Sequence, residues 1–262
     1  MTDILKYNRA AWDKQSENAQ SPWVQPEDSA TIEKAKSGIW EVILTPSKNV
    51  PKTWFSDIHG KRVLCLASAG GQQAPILAAA GAVVTSFDNS PVQLAKDQLV
   101  ADRDGLTIEL VQGDMADLSY FKDASFDLIF HPVSNVFSQT IRPVWQHSAR
   151  VLVTNGRLLS GFMNPDFFLF DHYDIEAGGS LEVKFPLPNA DIEHIDEAEL
   201  AKRKAAGAAL EFSHSLDEQI AGQIDAGFLI AGFYEDRWDD TATPLNAFMP
   251  TSMATLAVKT AV

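Results

Sequence analysis

The segment Val63-Leu64-Cys65-Leu66-Ala67-Ser68-Ala69-Gly70-Gly71-Gln72-Gln73-Ala74-Pro75 decides the fold. Its first five residues form an unbroken apolar run, the pattern of a central parallel strand covered on both faces. Small residues and two glycines follow. The spacing predicts a helix from about Gln72, with Pro75 tolerated in its first turn and Gly81 ending it. No charged residue occurs from Val63 to Phe87, a length that could cross a membrane. The glycine turn, Pro75 and Gly81 divide it instead into strand, turn, short helix, turn and strand, so no membrane segment is predicted.

Downstream the rhythm repeats. Val83 to Phe87 is a second strand ending at Asp88. Ser90-Pro91 reads as N-cap and first helical residue, with the helix running to about Arg103 and closed by Gly105. Leu106 to Val111 alternates apolar and polar, which places that strand near the sheet edge. Phe126 to Phe130 is a fourth strand, Val144 to Leu152 a helix, and Asn155-Gly156 turns the chain into a fifth strand, Arg157 to Phe162. Repeated strand–helix alternation means a parallel sheet with right-handed crossovers. Residues 163–210 interrupt it with an aromatic stretch (Met163 to Tyr173), a possible strand pair (Leu181 to Pro188) and a charged helix (Ile192 to Ala209). We read them as a lid over the functional edge of the sheet. A helix from about Ser215 to Ala226 and strands Phe228 to Tyr234 and Met253 to Val258 close the sheet as an antiparallel pair.

Upstream, residues 1–60 read as a helical, aromatic-rich cap. They hold four of the six tryptophans, and Pro22, Pro26, Pro46 and Pro51 keep the helices short. Residues 61–262 then form the main domain, with the lid at about 163–210. Across the 262 residues, 35 Asp and Glu outnumber 21 Lys and Arg, for a formal charge of −14. That balance argues against nucleic acid as the partner, because phosphate binding rests on clustered cations. A single cysteine, Cys65, excludes an intramolecular disulfide and reads as a small buried core residue, so the cytoplasm is the default compartment. The residues from Met1 to Ala10 lack the apolar core of a signal peptide. The histidines lack metal-ligand spacing, so no metal is expected.

Three features fall at the ends of successive strands, where open α/β sheets bind ligands. The turn Ala67-Ser68-Ala69-Gly70-Gly71-Gln72-Gln73 lets the backbone approach a ligand and offers helix-start N–H groups to an anion. Asp88, followed by Asn89, suits a ribose diol. Gly113-Asp114-Met115 offers a carboxylate to an adenine amino group and a thioether to pack on the ring. Together they describe a nucleoside with a carboxylate-bearing tail. A dinucleotide needs G-x-G-x-x-G, and here those positions are Ala67, Ala69 and Gln72. S-adenosylmethionine, which has no phosphate, fits better; a nicotinamide-dependent oxidoreductase is the alternative, and a non-catalytic S-adenosylmethionine-binding protein a third.

The stretch from about Lys61 to Phe162 resembles class I S-adenosylmethionine-dependent methyltransferases of the type 11-like branch. Val63 to Gly71 lies on that family's first motif, Val84 to Ser90 on its ribose motif and Gln112 to Met115 on its adenine motif. Ser125 to Phe130 lies on its fourth strand, and Arg150 to Leu152 with Asn155 to Leu159 on the helix and turn into the fifth. The resemblance implies a Rossmann-like α/β fold: a seven-stranded mixed sheet, parallel with an antiparallel last strand and helices on both faces. It also implies methyl transfer to a small or medium-sized acceptor. Cys65 stands where the family usually has an acid, and Ala67 and Ala69 replace two glycines. His131, after the fourth strand, is a candidate general base, a cofactor contact or a strand-end histidine. Tyr7 either packs the cap or folds over the cofactor's sulfonium, where an aromatic face attracts a cation.

Overall fold

The computed structural model describes residues 3–18, 21–239 and 241–261. Helix α1 (Ile4–Asn18) is followed by a 3-10 turn at Pro22–Val24 and by α2 (Ser29–Lys36), whose N-cap Asp28 accepts from the Thr31 N–H. Strand β1 (Arg62–Leu66), α3 (Gln73–Ala79), β2 (Val83–Asp88), α4 (Pro91–Asp104) and β3 (Ile108–Gln112) give two crossovers. Strand β4 (Phe126–His131), α5 (Arg142–Val151) and β5 (Leu152–Met163) give a third. Ser90 caps α4 by accepting from the Gln93 N–H, and Gly105 ends it in the left-handed region, as the sequence predicts.

The lid carries α6 (His172–Glu176), α7 (Asp191–His194) and α8 (Glu197–Ala206). A π-helical turn at Asp217–Ala221 runs into α9 (Gly222–Asp225), and β6 (Phe228–Asp236) and β7 (Ser252–Lys259) complete the sheet. The strand order is β3-β2-β1-β4-β5-β7-β6. All neighbours are parallel except β7, which runs antiparallel between β5 and β6. The alternating strand β3 lies at the edge.

The unbroken apolar run of β1 has a direct packing explanation. Val63 and Cys65 face one layer with Leu44, Trp54, Phe55 and Leu77, while Leu64 and Leu66 face the other with Phe87, Ile129 and Trp145. The cap therefore belongs to the sheet's own core. Two lid expectations are corrected. The segment 181–188 forms no strand pair, only an isolated bridge between Phe170 and Val183, because Pro186 and Pro188 remove the donors a ladder needs. The charged helix is two helices, since Asp196 caps α8 afresh by accepting from the Glu199 N–H, and Gly207 in the left-handed region ends it.

Candidate functional site

The turn after β1 is tightly bent. Ala67 (φ 47°) and Ala69 (φ 61°) both sit in the left-handed region, which costs an alanine about 1–2 kcal/mol. A Cβ on Gly70 would lie 2.0 Å from the Gln93 carbonyl oxygen, so no other residue fits there. Helix α4 holds this turn from behind. The Gly70 N–H donates to Gln93 Oε1 at 2.7 Å, and the Gly71 N–H to Asp97 Oδ1 at 2.6 Å. Ser86 Oγ donates to the other Asp97 oxygen at 2.7 Å. Burial pushes the Asp97 carboxyl up to about 7, against the pull of these two bonds. The Gly70 and Gly71 N–H groups are thus satisfied within the protein. Cys65 is fully buried beside this network, and burial drives its thiol well above its usual range. It is not a nucleophile.

At the tip of β2, burial pushes the Asp88 carboxyl up to about 6, and the charge of Asp13 on α1 adds to the effect. One Asp88 oxygen accepts the Ser90 N–H at 2.8 Å. The Asn89 side chain accepts from Arg9 Nε and donates to the Leu5 carbonyl, which ties α1 to this edge. Gly113 donates its N–H to the Asp88 carbonyl at 3.0 Å and has no room for a Cβ against the Phe87 ring. Asp114 Oδ1 accepts the Ala116 N–H at 2.9 Å, and Met115 packs on the apolar layer around Phe87.

These strand tips open into a cavity of about 540 Å³, within the range of small-ligand sites. Of the residues singled out from sequence, Ala67, Ser68, Ala69, Gln72, Gln73, Asp88, Asn89, Gly113, Asp114 and Met115 line it. Gly70 and Gly71 lie behind its wall. Gln72 and Gln73 also anchor the cap, the first donating to the Pro22 and Gln25 carbonyls and the second accepting from the Ile43 N–H.

Two of the side chains singled out from sequence lie away from the cavity. Tyr7 does not reach the cavity but packs with Ile4, Leu210 and Phe212 between α1 and the lid. Its neighbours on the next faces of the helix, Asn8 and Trp12, line the cavity instead. His131 is fully buried and does not line the cavity. Its Nδ1–H donates to the Leu66 carbonyl at 2.9 Å, its Nε2 lies 2.7 Å from the Asn135 side-chain amide, and its ring meets Trp145 edge-on. Burial lowers its pKa, against the pull of the Leu66 and Asn135 contacts. The ring packs at the strand end, away from the cavity.

The roof is the cap. Asn8, 3% exposed, donates to the Phe137 and Leu210 carbonyls at 3.0 Å each and accepts the Leu210 N–H at 2.8 Å. Sequence reasoning missed the Gln93–Asp97 brace and the residues His172, Glu211 and Trp238, which also line the cavity. Ser90 Oγ, the N-cap, also donates to Asp13 at 2.6 Å, fixing α1 directly above Asp88.

The residues present fit S-adenosylmethionine. Ser68, buried beside Cys65, lines the cavity wall. Carboxylates stand at two neighbouring strand tips. The Gly70 and Gly71 N–H groups, engaged by Gln93 and Asp97, are not offered to a phosphate.

Comparison with known proteins agrees. Residues 64–160 match the family model of a methyltransferase domain. The chain is 50% identical over 259 residues to an uncharacterized methyltransferase, YbaJ, of Bacillus subtilis, covering 99% of this chain and all of that protein. A candidate S-adenosylmethionine-dependent methyltransferase from Listeria monocytogenes shares the fold with a TM-score of 0.64 at 15% identity, over 80% of this chain and 95% of its own. An S-adenosylmethionine-dependent methyltransferase from Mesorhizobium loti does so with a TM-score of 0.58 at 18% identity, over 79% and 95%. The cofactor is S-adenosylmethionine, and the chain belongs to the S-adenosylmethionine-dependent methyltransferases.

Proposed function

We propose that this enzyme methylates a small or medium-sized acceptor inside the roofed cavity. The observation that carries this reading is the gathering of Ser68, Asp88 and Asp114 on one cavity wall, beneath the indoles and aliphatic side chains of the cap. In this reading Asp88 accepts the ribose hydroxyls, Asp114 and Met115 flank the adenine, and Ala67, Ser68, Ala69, Gln72 and Gln73 wall the methionine end. Bound there, S-adenosylmethionine supplies a methyl carbon already activated by its positively charged sulfur. Trp12, Trp23, Ile4 and Leu5 exclude water from above, and the enclosed walls hold an acceptor in one orientation, which can supply much of the rate. His131 has no proton to move in this scheme; it positions the end of β4 through Leu66 and Asn135.

The cavity wall carries Asp88, Asp114, Glu176 and Glu211 and, among the described residues, no lysine or arginine. That supports a small molecule over a nucleic acid. Among the described residues no helix is long and apolar enough to cross a membrane. The buried, solitary Cys65 supports a cytoplasmic site of action.

Calorimetric titration with S-adenosylhomocysteine and NAD tests the cofactor roles. Binding of the first alone is expected. Asp88→Ala weakens it about tenfold or more, since hydrogen bonds to a charged group contribute roughly 1.5–3 kcal/mol. An unchanged dissociation constant removes Asp88 from the site.

A further inference from the structure

The far end of the cavity has its own chemistry. It is walled by the rings of Phe167, His172, Tyr173 and Trp238, with Glu211 among them. The rings form one connected set: Phe167 meets Trp238 edge-on at 5.5 Å and His172 at 5.3 Å, and His172 meets Tyr173 at 4.2 Å. Glu211 is fixed through its backbone, where its N–H donates to Asp191 Oδ2 and its carbonyl accepts the Asp191 N–H, both at 3.0 Å. Its carboxyl makes no hydrogen bond among the described residues; the nearest group is His172 Nε2 at 3.6 Å. The nearby Arg203 is already engaged by Asp191 at 2.8 Å and Glu199 at 3.3 Å and lies over the Tyr173 ring. It does not line this cavity.

Resting on the methyltransferase reading above, we propose that this end of the cavity binds the acceptor as a primary or secondary organic amine, docked in its ammonium form between the aromatic rings and Glu211. An anionic acceptor would enter a wall with four carboxyls and no lysine or arginine among the described residues. An ammonium group instead gains the ring faces and an unpaired carboxyl.

The same geometry provides for the proton. An ammonium nitrogen has no lone pair to offer a methyl carbon until a proton leaves it. Binding the ammonium releases to solvent the proton that Glu211 holds in the empty site; the two charges left in the enclosed pocket are poorly solvated, so the proton on nitrogen then moves to a Glu211 oxygen, the bonding pair stays on nitrogen, and two neutral groups result. Burial first, then the charge of Asp191, already push the Glu211 carboxyl up to about 8, close to an amine and far from an ordinary carboxylate. Asp191, Glu176, Tyr173, Arg203 and His172 are the other charged or titratable groups facing it.

The test uses benzylamine, benzyl alcohol and benzoate as probes of equal shape, titrated calorimetrically with and without saturating S-adenosylhomocysteine. Benzylamine is expected to bind at least tenfold more tightly than either isostere. Glu211→Gln is expected to weaken benzylamine about tenfold and leave benzyl alcohol and S-adenosylhomocysteine binding unchanged. Equal binding of the alcohol or of benzoate, absence of benzylamine binding, or indifference to Glu211→Gln overturns the proposal. Because S-adenosylhomocysteine binding is read separately, failure of the amine site and failure of the cofactor site give different results.

Discussion

Replacing Asp97 is the sharpest test of how the cofactor turn is held. In Asp97→Ala the Gly71 N–H and the Ser86 hydroxyl lose acceptors 2.6 and 2.7 Å away in a site where Asp97 is 1% exposed. Each buried polar group left unpaired costs about 1–3 kcal/mol. Relief from burying the carboxylate, visible in its raised pKa, offsets part of this, leaving a net loss of about 2–4 kcal/mol. For a chain of this size that lowers the melting temperature by about 5–10 °C. Asp97→Asn keeps an acceptor for Gly71 and turns an N–H toward Ser86 Oγ, so it loses under about 1 kcal/mol. The turn carries two alanines in the left-handed region, and freeing Gly71 lets them relax. S-adenosylhomocysteine affinity, measured by calorimetry, is expected to fall about tenfold in the alanine variant and under about threefold in the asparagine variant. An alanine variant that melts and binds like the wild type, or an asparagine variant worse than alanine, refutes the brace.

Other outcomes follow from the same structure. Ala69→Gly removes a left-handed alanine and should raise stability to chemical denaturation by about 0.5–1 kcal/mol, less than the full strain because glycine also loosens the unfolded chain; a lower denaturation midpoint contradicts the φ of 61°. His131→Ala should lower the melting temperature through the lost Leu66 and Asn135 contacts while S-adenosylhomocysteine affinity in the folded fraction stays within about threefold; loss of binding without loss of stability reverses that assignment. Asp97 and Glu211 have folded pKa values raised to about 7 and about 8, so the folded chain holds protons that the unfolded chain has released. Stability of the unliganded protein should therefore fall as pH rises from about 7.5 to about 8.5, above the pH at which an unfolded histidine gives up its proton. A melting temperature that climbs across that window excludes the burial of these carboxyls.

The sheet was legible because its signals are local and redundant. The run at 63–67 faces two apolar layers, Ser90-Pro91 is both a cap and a first turn, and Gly105 has one conformation to fill. The strand-tip residues Asp88, Asp114 and Met115 followed from topology alone. What escaped depends on which way a side chain points. Tyr7 and Asn8 are neighbours on one helix, yet only the second faces the cavity. His131 has the position expected of a functional group, but the Leu66 carbonyl draws its ring into the sheet. Gln93 and Asp97, four residues apart on the buried stripe of α4 with Leu94 and Val100, did leave a trace: two polar residues on an apolar face need partners. The strand pair expected at 181–188 failed because Pro186 and Pro188 outweigh the apolar residues around them.

Asn8 has a consequence for traffic through the enzyme. Its amide is a latch joining the first helix to both the turn after β4 and the lid at Leu210. Lifting that helix strips three buried bonds at once, at about 1–3 kcal/mol for each group left dry. Backbone amides of 4–18 should then exchange with solvent slowly for a terminal helix, and a small acceptor should come and go more readily than a bulky one for which the latch must break.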